Sequence, residues 1–144
     1  MNSTLPAAVC VAMLAVLAAG CSGGSSGAGS TAAAEVKGDP VRGEQLYQQC
    51  AACHSLPANA AGPRHCQLFG RAAGTVPDFE YSQAMRDSGL VWDVRTLDEF
   101  LTSPITYVSG TMMGFAGFSD AADRADVIAY LHRANNDPAT CPAG

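Results

Sequence analysis

An all-α domain is what the sequence predicts, and three observations carry that prediction. No stretch alternates apolar and polar residues over the length a strand needs. Three stretches open on helix-capping signals, and two of them close on proline. The last places Ala125, Ile128, Ala129 and Leu131-His132 at helical spacing. With 144 residues, the chain has room for one such domain and a leader but not for two cores.

The leader comes first. Leu5 to Ala19 is apolar but too short to span a membrane, and it reads as the hydrophobic region of a signal peptide ending in small residues. Its amino-terminal flank departs from the usual pattern in lacking Lys and Arg. Leu17-Ala18-Ala19-Gly20-Cys21 resembles the lipobox of bacterial lipoproteins, in which the Cys is lipidated and becomes the new N-terminus. The resemblance implies a lipoprotein-type signal peptide over residues 1–20 and a membrane anchor through lipid on Cys21. Plain secretory cleavage, with Cys21 an idle thiol, is the alternative. Ser22 to Ala34 is almost pure Ser, Gly and Ala, a composition that behaves as a flexible tether with a typical reach of about 20 Å. Residues 21–38 thus form the lipid site and tether, and residues 39–144 the folded domain.

Within that domain, Asp39-Pro40 is an N-cap followed by proline at the first helical position, and the helix it opens runs through Leu46. Thr96-Leu97-Asp98-Glu99 reads as a capping box opening a short helix that Pro104 ends. The last helix starts near Ser119-Asp120 and stops at Asp137-Pro138.

The first helix leads into the strongest chemical signal, Cys50-Ala51-Ala52-Cys53-His54, the C-x-x-C-H signature of c-type haem attachment. Residues three apart share one face of a helix or tight turn, so both thiols reach the vinyl groups along one haem edge. His54 then offers an imidazole nitrogen to the iron. Three other readings compete, one of them a chance occurrence in an Ala-rich helix. A thioredoxin-like dithiol wants a βαβ pattern, which is absent. A zinc site wants a second donor pair, and the one on offer, His65-Cys66, is poorly spaced for tetrahedral closure. Of six cysteines, Cys10 and Cys21 belong to the leader and the lipid site, leaving Cys50, Cys53, Cys66 and Cys141. An even remainder in an exported protein invites bonded roles for all four. Formal net charge is −5 and the pI near 4.9, which argues against nucleic acid as a partner.

Further segments follow the haem motif in a telling order: Gly43-Glu44-Gln45-Leu46-Tyr47 before it, then Gly62-Pro63, Leu68-Phe69-Gly70-Arg71, Phe79-Glu80-Tyr81-Ser82 and Val91-Trp92. Tyr107-Val108-Ser109-Gly110-Thr111-Met112-Met113-Gly114-Phe115 and Arg124-Ala125-Asp126-Val127-Ile128-Ala129-Tyr130-Leu131 complete it. From Asp39 to Asn135 the chain resembles the class I cytochromes c, the small monohaem family of mitochondrial cytochrome c and bacterial cytochromes c2. That resemblance implies an all-α fold wrapped around one covalent haem c, with first and last helices crossing where Gly43 meets Tyr47 and Tyr130. Met112 and Met113 are adjacent candidates for the second iron ligand, and the resemblance implies Met113, with Met112 in the place of the family's usual lysine. It further implies that the Pro63 carbonyl accepts the free N–H of His54. Arg71, Tyr81 and Trp92 match positions that bond the haem propionates, and Tyr107 and Thr111 match hydroxyls near the methionine side.

Where family members often read Leu-His-Gly-Leu, this chain has His65-Cys66-Gln67-Leu68. Cys66 and Cys141, the thiols left over, are expected to form a disulfide that pins the C-terminal tail. His65 and His132 read as solvent-facing, and Met85 falls where the family often has an Asn. Lys37 is the only lysine, so docking by a ring of lysines is excluded, and partners should present basic or largely apolar faces.

The function implied is single-electron transfer by a monomeric, non-enzymatic carrier on the periplasmic side of a membrane. The partners implied are a quinol–cytochrome reductase on one side and a terminal oxidase or periplasmic reductase on the other. Two rivals remain: a peroxidase-like or gas-ligand-binding haem protein with a labile methionine, and a haem-containing assembly subunit of an oxidase complex.

Overall fold

The structure, a computed structural model, describes residues 36–142. The signal peptide, Cys21 and the Ser/Gly/Ala tether lie outside the described residues. Five helices follow one another: α1 (Pro40–Ala51), α2 (Gln83–Asp87), α3 (Val94–Thr102), α4 (Pro104–Tyr107) and α5 (Ala121–Asn135). Among the described residues there is no strand, only an isolated antiparallel bridge between Ala72 and Val91.

The Asp39 carboxylate accepts from the backbone N–H groups of Val41 and Arg42, and Pro40 stands where its missing N–H costs nothing. The helix α5 opens in the same way on Asp120, which accepts from Ala122 N at 2.8 Å. These two helices cross and form the frame of the fold. Gly43 permits the crossing: a Cβ there would stand 2.9 Å from the Cβ of Tyr130, closer than side-chain carbons pack. Beside it the Tyr47 and Tyr130 rings meet at 5.0 Å. Asp126, buried at the same crossing, accepts from Asp39 N at 2.6 Å and from the Arg42 guanidinium. One carboxylate thereby ties the start of α1 to the middle of α5. The packed chain begins ahead of Asp39, since Val36 already rests against the core.

The helix α3 begins three residues earlier than the sequence predicts. Asp93 is its cap and accepts from Thr96 N at 2.7 Å, while the Thr96 hydroxyl accepts from Asp93 N at 2.8 Å. Thr96 is therefore the returning partner of the box and not its start. Glu99 is engaged elsewhere, with Arg95 and the Tyr107 hydroxyl. Pro104 ends α3 by opening α4. Neither α2 nor α4 is legible beforehand, because five and four residues are too few to show a helical period.

Val127, Ile128 and Leu131 of α5, Leu97, Phe100 and Leu101 of α3, and the loop residues Leu68 and Trp92 form the core. As expected from the count of thiols, Cys66 and Cys141 are joined in a disulfide, with Cα atoms 5.3 Å apart and both residues buried.

Candidate functional site

The core is open along one side. A cavity of about 530 Å³ penetrates it, with a mostly apolar wall that takes in Trp92, Leu97 and Phe100. That volume falls in the range of cofactor sites, about 300–1,000 Å³. Chemistry enters the wall from two places. The end of α1 and the turn after it contribute Cys50, Cys53 and His54, and the loop before α5 contributes Thr111, Met112 and Met113.

The turn is made by backbone bonds from Cys53 N and His54 N to the Cys50 carbonyl, 3.0 and 2.8 Å long. They place both thiols and the imidazole on one wall. Burial pushes the Cys50 thiol up to about 11, so it stays protonated. A redox dithiol needs a ready thiolate, which this burial opposes. Zinc lacks partners: Cys66 is consumed in its disulfide, and among the described residues no three His, Cys, Asp or Glu side chains gather as a metal site.

His54 is fixed at its far nitrogen. Its Nδ1–H donates to the Pro63 carbonyl at 2.8 Å, as the family resemblance implies, leaving Nε2 with a free lone pair. Burial lowers the pKa of His54, and the Pro63 bond partly offsets this. Gly62 makes room for the ring, since a Cβ there would stand 2.6 Å from Nδ1 and 2.7 Å from Nε2.

Met113 is half-buried and packs against the core, whereas Met112 is 67% exposed at the cavity rim. The Thr111 hydroxyl accepts from Met113 N at 3.2 Å, bracing the loop. Arg71, Tyr81 and Trp92 all reach the wall. The Arg71 guanidinium donates to the carbonyls of Cys66 at 2.9 Å and Arg64 at 3.0 Å, and Trp92 is held against Phe100 at 5.0 Å between ring centroids.

Two expectations fail. Tyr107 does not join the cavity wall: it is exposed at the end of α4, and its hydroxyl donates to Glu99 Oε2 at 2.6 Å. The carboxylate on α3 draws the phenol to the outer surface. His65 does not face solvent either. It lies on the cavity wall, its ring stacked on His54 with centroids 4.3 Å apart, and its Nδ1 is 3.0 Å from the Tyr47 hydroxyl. Burial, aided by His54 and Arg71, keeps its pKa well below the usual histidine value, so it is neutral. Met85, which falls where the family often has an Asn, is buried and on the wall.

The donor set fits a haem held by two thioethers. Comparison with known proteins agrees. A family model described as Cytochrome c matches residues 40–135. Cytochrome c2 of Rhodomicrobium vannielii is 47% identical over 104 residues, covering 70% of this chain and 83% of that protein. Cytochrome c2 of Afifella marina is 45% identical over 101 residues, covering 66% and 82%. Among solved structures, cytochrome cH from Methylobacterium extorquens superposes with a TM-score of 0.65 at 38% identity, covering 67% of this chain and 99% of that one. The chain belongs to the class I c-type cytochromes, which are electron carriers and not enzymes. Its cofactor is one haem c, joined covalently through Cys50 and Cys53.

Proposed function

We propose that the protein passes single electrons between exported or membrane-bound respiratory partners, with iron held between Nε2 of His54 and the thioether of Met113. The observation that carries this reading is the Pro63–His54 bond beside a cavity that Met113 borders. When bound, haem c supplies a one-electron Fe(III)/Fe(II) couple. The Pro63 carbonyl fixes the proton on Nδ1, which orients Nε2 and raises its basicity. A neutral Met113 thioether favours the reduced state and so raises the potential. Arg71, Tyr81 and Trp92 stand ready to bond propionates that would otherwise be costly buried anions. With His54 and Met113 both holding the iron, no position would be left for substrate.

Lipid on Cys21, with residues 22–34 as a tether, would hold this domain at the periplasmic face of a membrane. The chain's charge of −5 and the absence of lysine from residues 39–144 suit basic or apolar faces on a quinol–cytochrome reductase and on an oxidase or periplasmic reductase. Oxidised, reduced and carbon-monoxide-treated spectra of the matured protein test the reading. Low-spin bands unmoved by carbon monoxide are expected. Prompt carbon monoxide binding would place the gas-ligand or peroxidase reading first, and failure to cycle with a quinol-linked reductase would favour an assembly subunit.

A further inference from the structure

The two imidazoles on the cavity wall form a stacked pair, and the second is held more firmly than a space-filling residue requires. The rings of His54 and His65 lie 4.3 Å apart with planes inclined by only 23°. Nδ1 of His65 is 3.0 Å from the Tyr47 hydroxyl, and the Tyr47 ring meets His65 edge-on at 5.7 Å. Tyr47 is 4% exposed and locked against Tyr130 at the α1–α5 crossing. The backbone at this point is fixed as well. His65 N–H is shared between the carbonyls of Ser55 and Leu56 at 3.0 and 3.1 Å, and Cys66 N donates to Leu56 O at 2.7 Å. Arg71 ties down the carbonyls on either side of His65, those of Arg64 and Cys66, and the disulfide clamps Cys66 to the C-terminal tail.

We propose that His65 is a positioning residue that sets the rotation of the His54 imidazole, and that Tyr47 holds His65 in turn. The inference rests on the reading of His54 as an iron ligand. A hydrogen bond from Nδ1 to Pro63 fixes one atom of the His54 ring and leaves a swing about that bond. A stacked plane removes the swing, because aromatic faces hold a preferred offset and tilt. Leucine, frequent at this place in the family, fills the space but offers neither a plane to His54 nor an acceptor to Tyr47. His65 therefore supplies orientation where a leucine supplies only volume.

In a low-spin Fe(III) haem the imidazole plane and the thioether orientation together direct the unpaired spin density, so with Met113 unchanged the paramagnetic shifts of the haem methyl protons report rotation of the imidazole. Proton spectra of the oxidised, matured protein would be compared with those of His65→Leu, His65→Phe and Tyr47→Phe, with thermal unfolding recorded for each. His65→Leu is expected to redistribute the methyl shifts. His65→Phe, which keeps a plane, should restore most of the wild-type pattern, and Tyr47→Phe should move it part of the way. A wild-type pattern in His65→Leu, or the same altered pattern in the Leu and Phe variants, would overturn the proposal. If neither position-65 variant matures, Tyr47→Phe decides, and an unmoved pattern there overturns it. A wild-type spectrum without an axial imidazole would defeat the ligation reading and this proposal together, whereas a normal spectrum unmoved by the variants defeats the proposal alone.

Discussion

Gly62 and His54 are packed so closely that the space a side chain would need at one is filled by the ring of the other. A Cβ on residue 62 would stand 2.6 Å from Nδ1, the atom bonded to Pro63. Gly62→Ala must therefore displace the ring or the loop that carries Pro63. We expect a loss of about 1–3 kcal/mol, as for other overpacked sites. A domain of this size then melts lower by roughly 4–8 °C per kcal/mol. Thermal unfolding of matured protein measures this, and the low-spin fraction should fall with it. An unchanged melting temperature and spectrum would show that the ring is not confined there.

Asp126 gives the fold a pH dependence. The hydrogen bond from Asp39 N, with Arg42 beside it, holds its carboxyl below the ordinary aspartate range despite burial. A free aspartate titrates near ~3.9, so the folded protein binds fewer protons than the unfolded chain below that pH. Stability from this group is complete above the unfolded value and is lost as pH falls through the lower folded one. Urea titrations from pH 7 to pH 3 should show the midpoint falling most steeply below about pH 4. Asp126→Asn should start lower and fall less over that window.

The disulfide spans a sequence separation of 75 residues, and closing so long a loop in the unfolded chain costs it about 4 kcal/mol of entropy. Replacing Cys66 and Cys141 by serine should lower the melting temperature by at least about 15 °C. A loss below ~1 kcal/mol in urea unfolding would mean that the tail contributes little beyond its own packing.

How much of this was legible beforehand depended on whether chemistry or tertiary packing decides the residue. Cys50, Cys53 and His54 were legible because two thioethers and a ligand demand that spacing. The ends of α1 and α5 were legible because Asp39-Pro40 and Asp120 act on their own backbone. Asp93 and Thr96 show the limit: Thr96-x-x-Glu99 satisfies the capping-box pattern, whereas Asp93-x-x-Thr96, the box that forms, departs from it by placing Thr where the pattern has Glu or Gln. What distinguishes them is a distant fact, that Val91 O accepts from the Thr96 hydroxyl and Glu99 bonds Tyr107. Tyr107 was misplaced for the same reason, since its hydroxyl chooses between cavity and carboxylate only once α3 and α4 have packed. His65 turned inward because Ser55 and Leu56 capture its backbone, a pairing with no local signature. Its position two residues after Pro63, whose carbonyl meets His54, is the one local pointer to the cavity wall. Gln67 stands where the family often has Gly, and its φ of 59° is a left-handed conformation that glycine adopts most readily.

The central claim is a closed site with Met113 as the second ligand, and Met112, its exposed neighbour, is the natural control. The most direct measurement is the far-red methionine–iron band of the oxidised, matured protein in wild type, Met112→Ala and Met113→Ala. The account predicts the band in wild type and Met112→Ala, and its loss in Met113→Ala together with prompt carbon monoxide binding on reduction. A band that survives in Met113→Ala and disappears in Met112→Ala, or one absent from wild type, would contradict it.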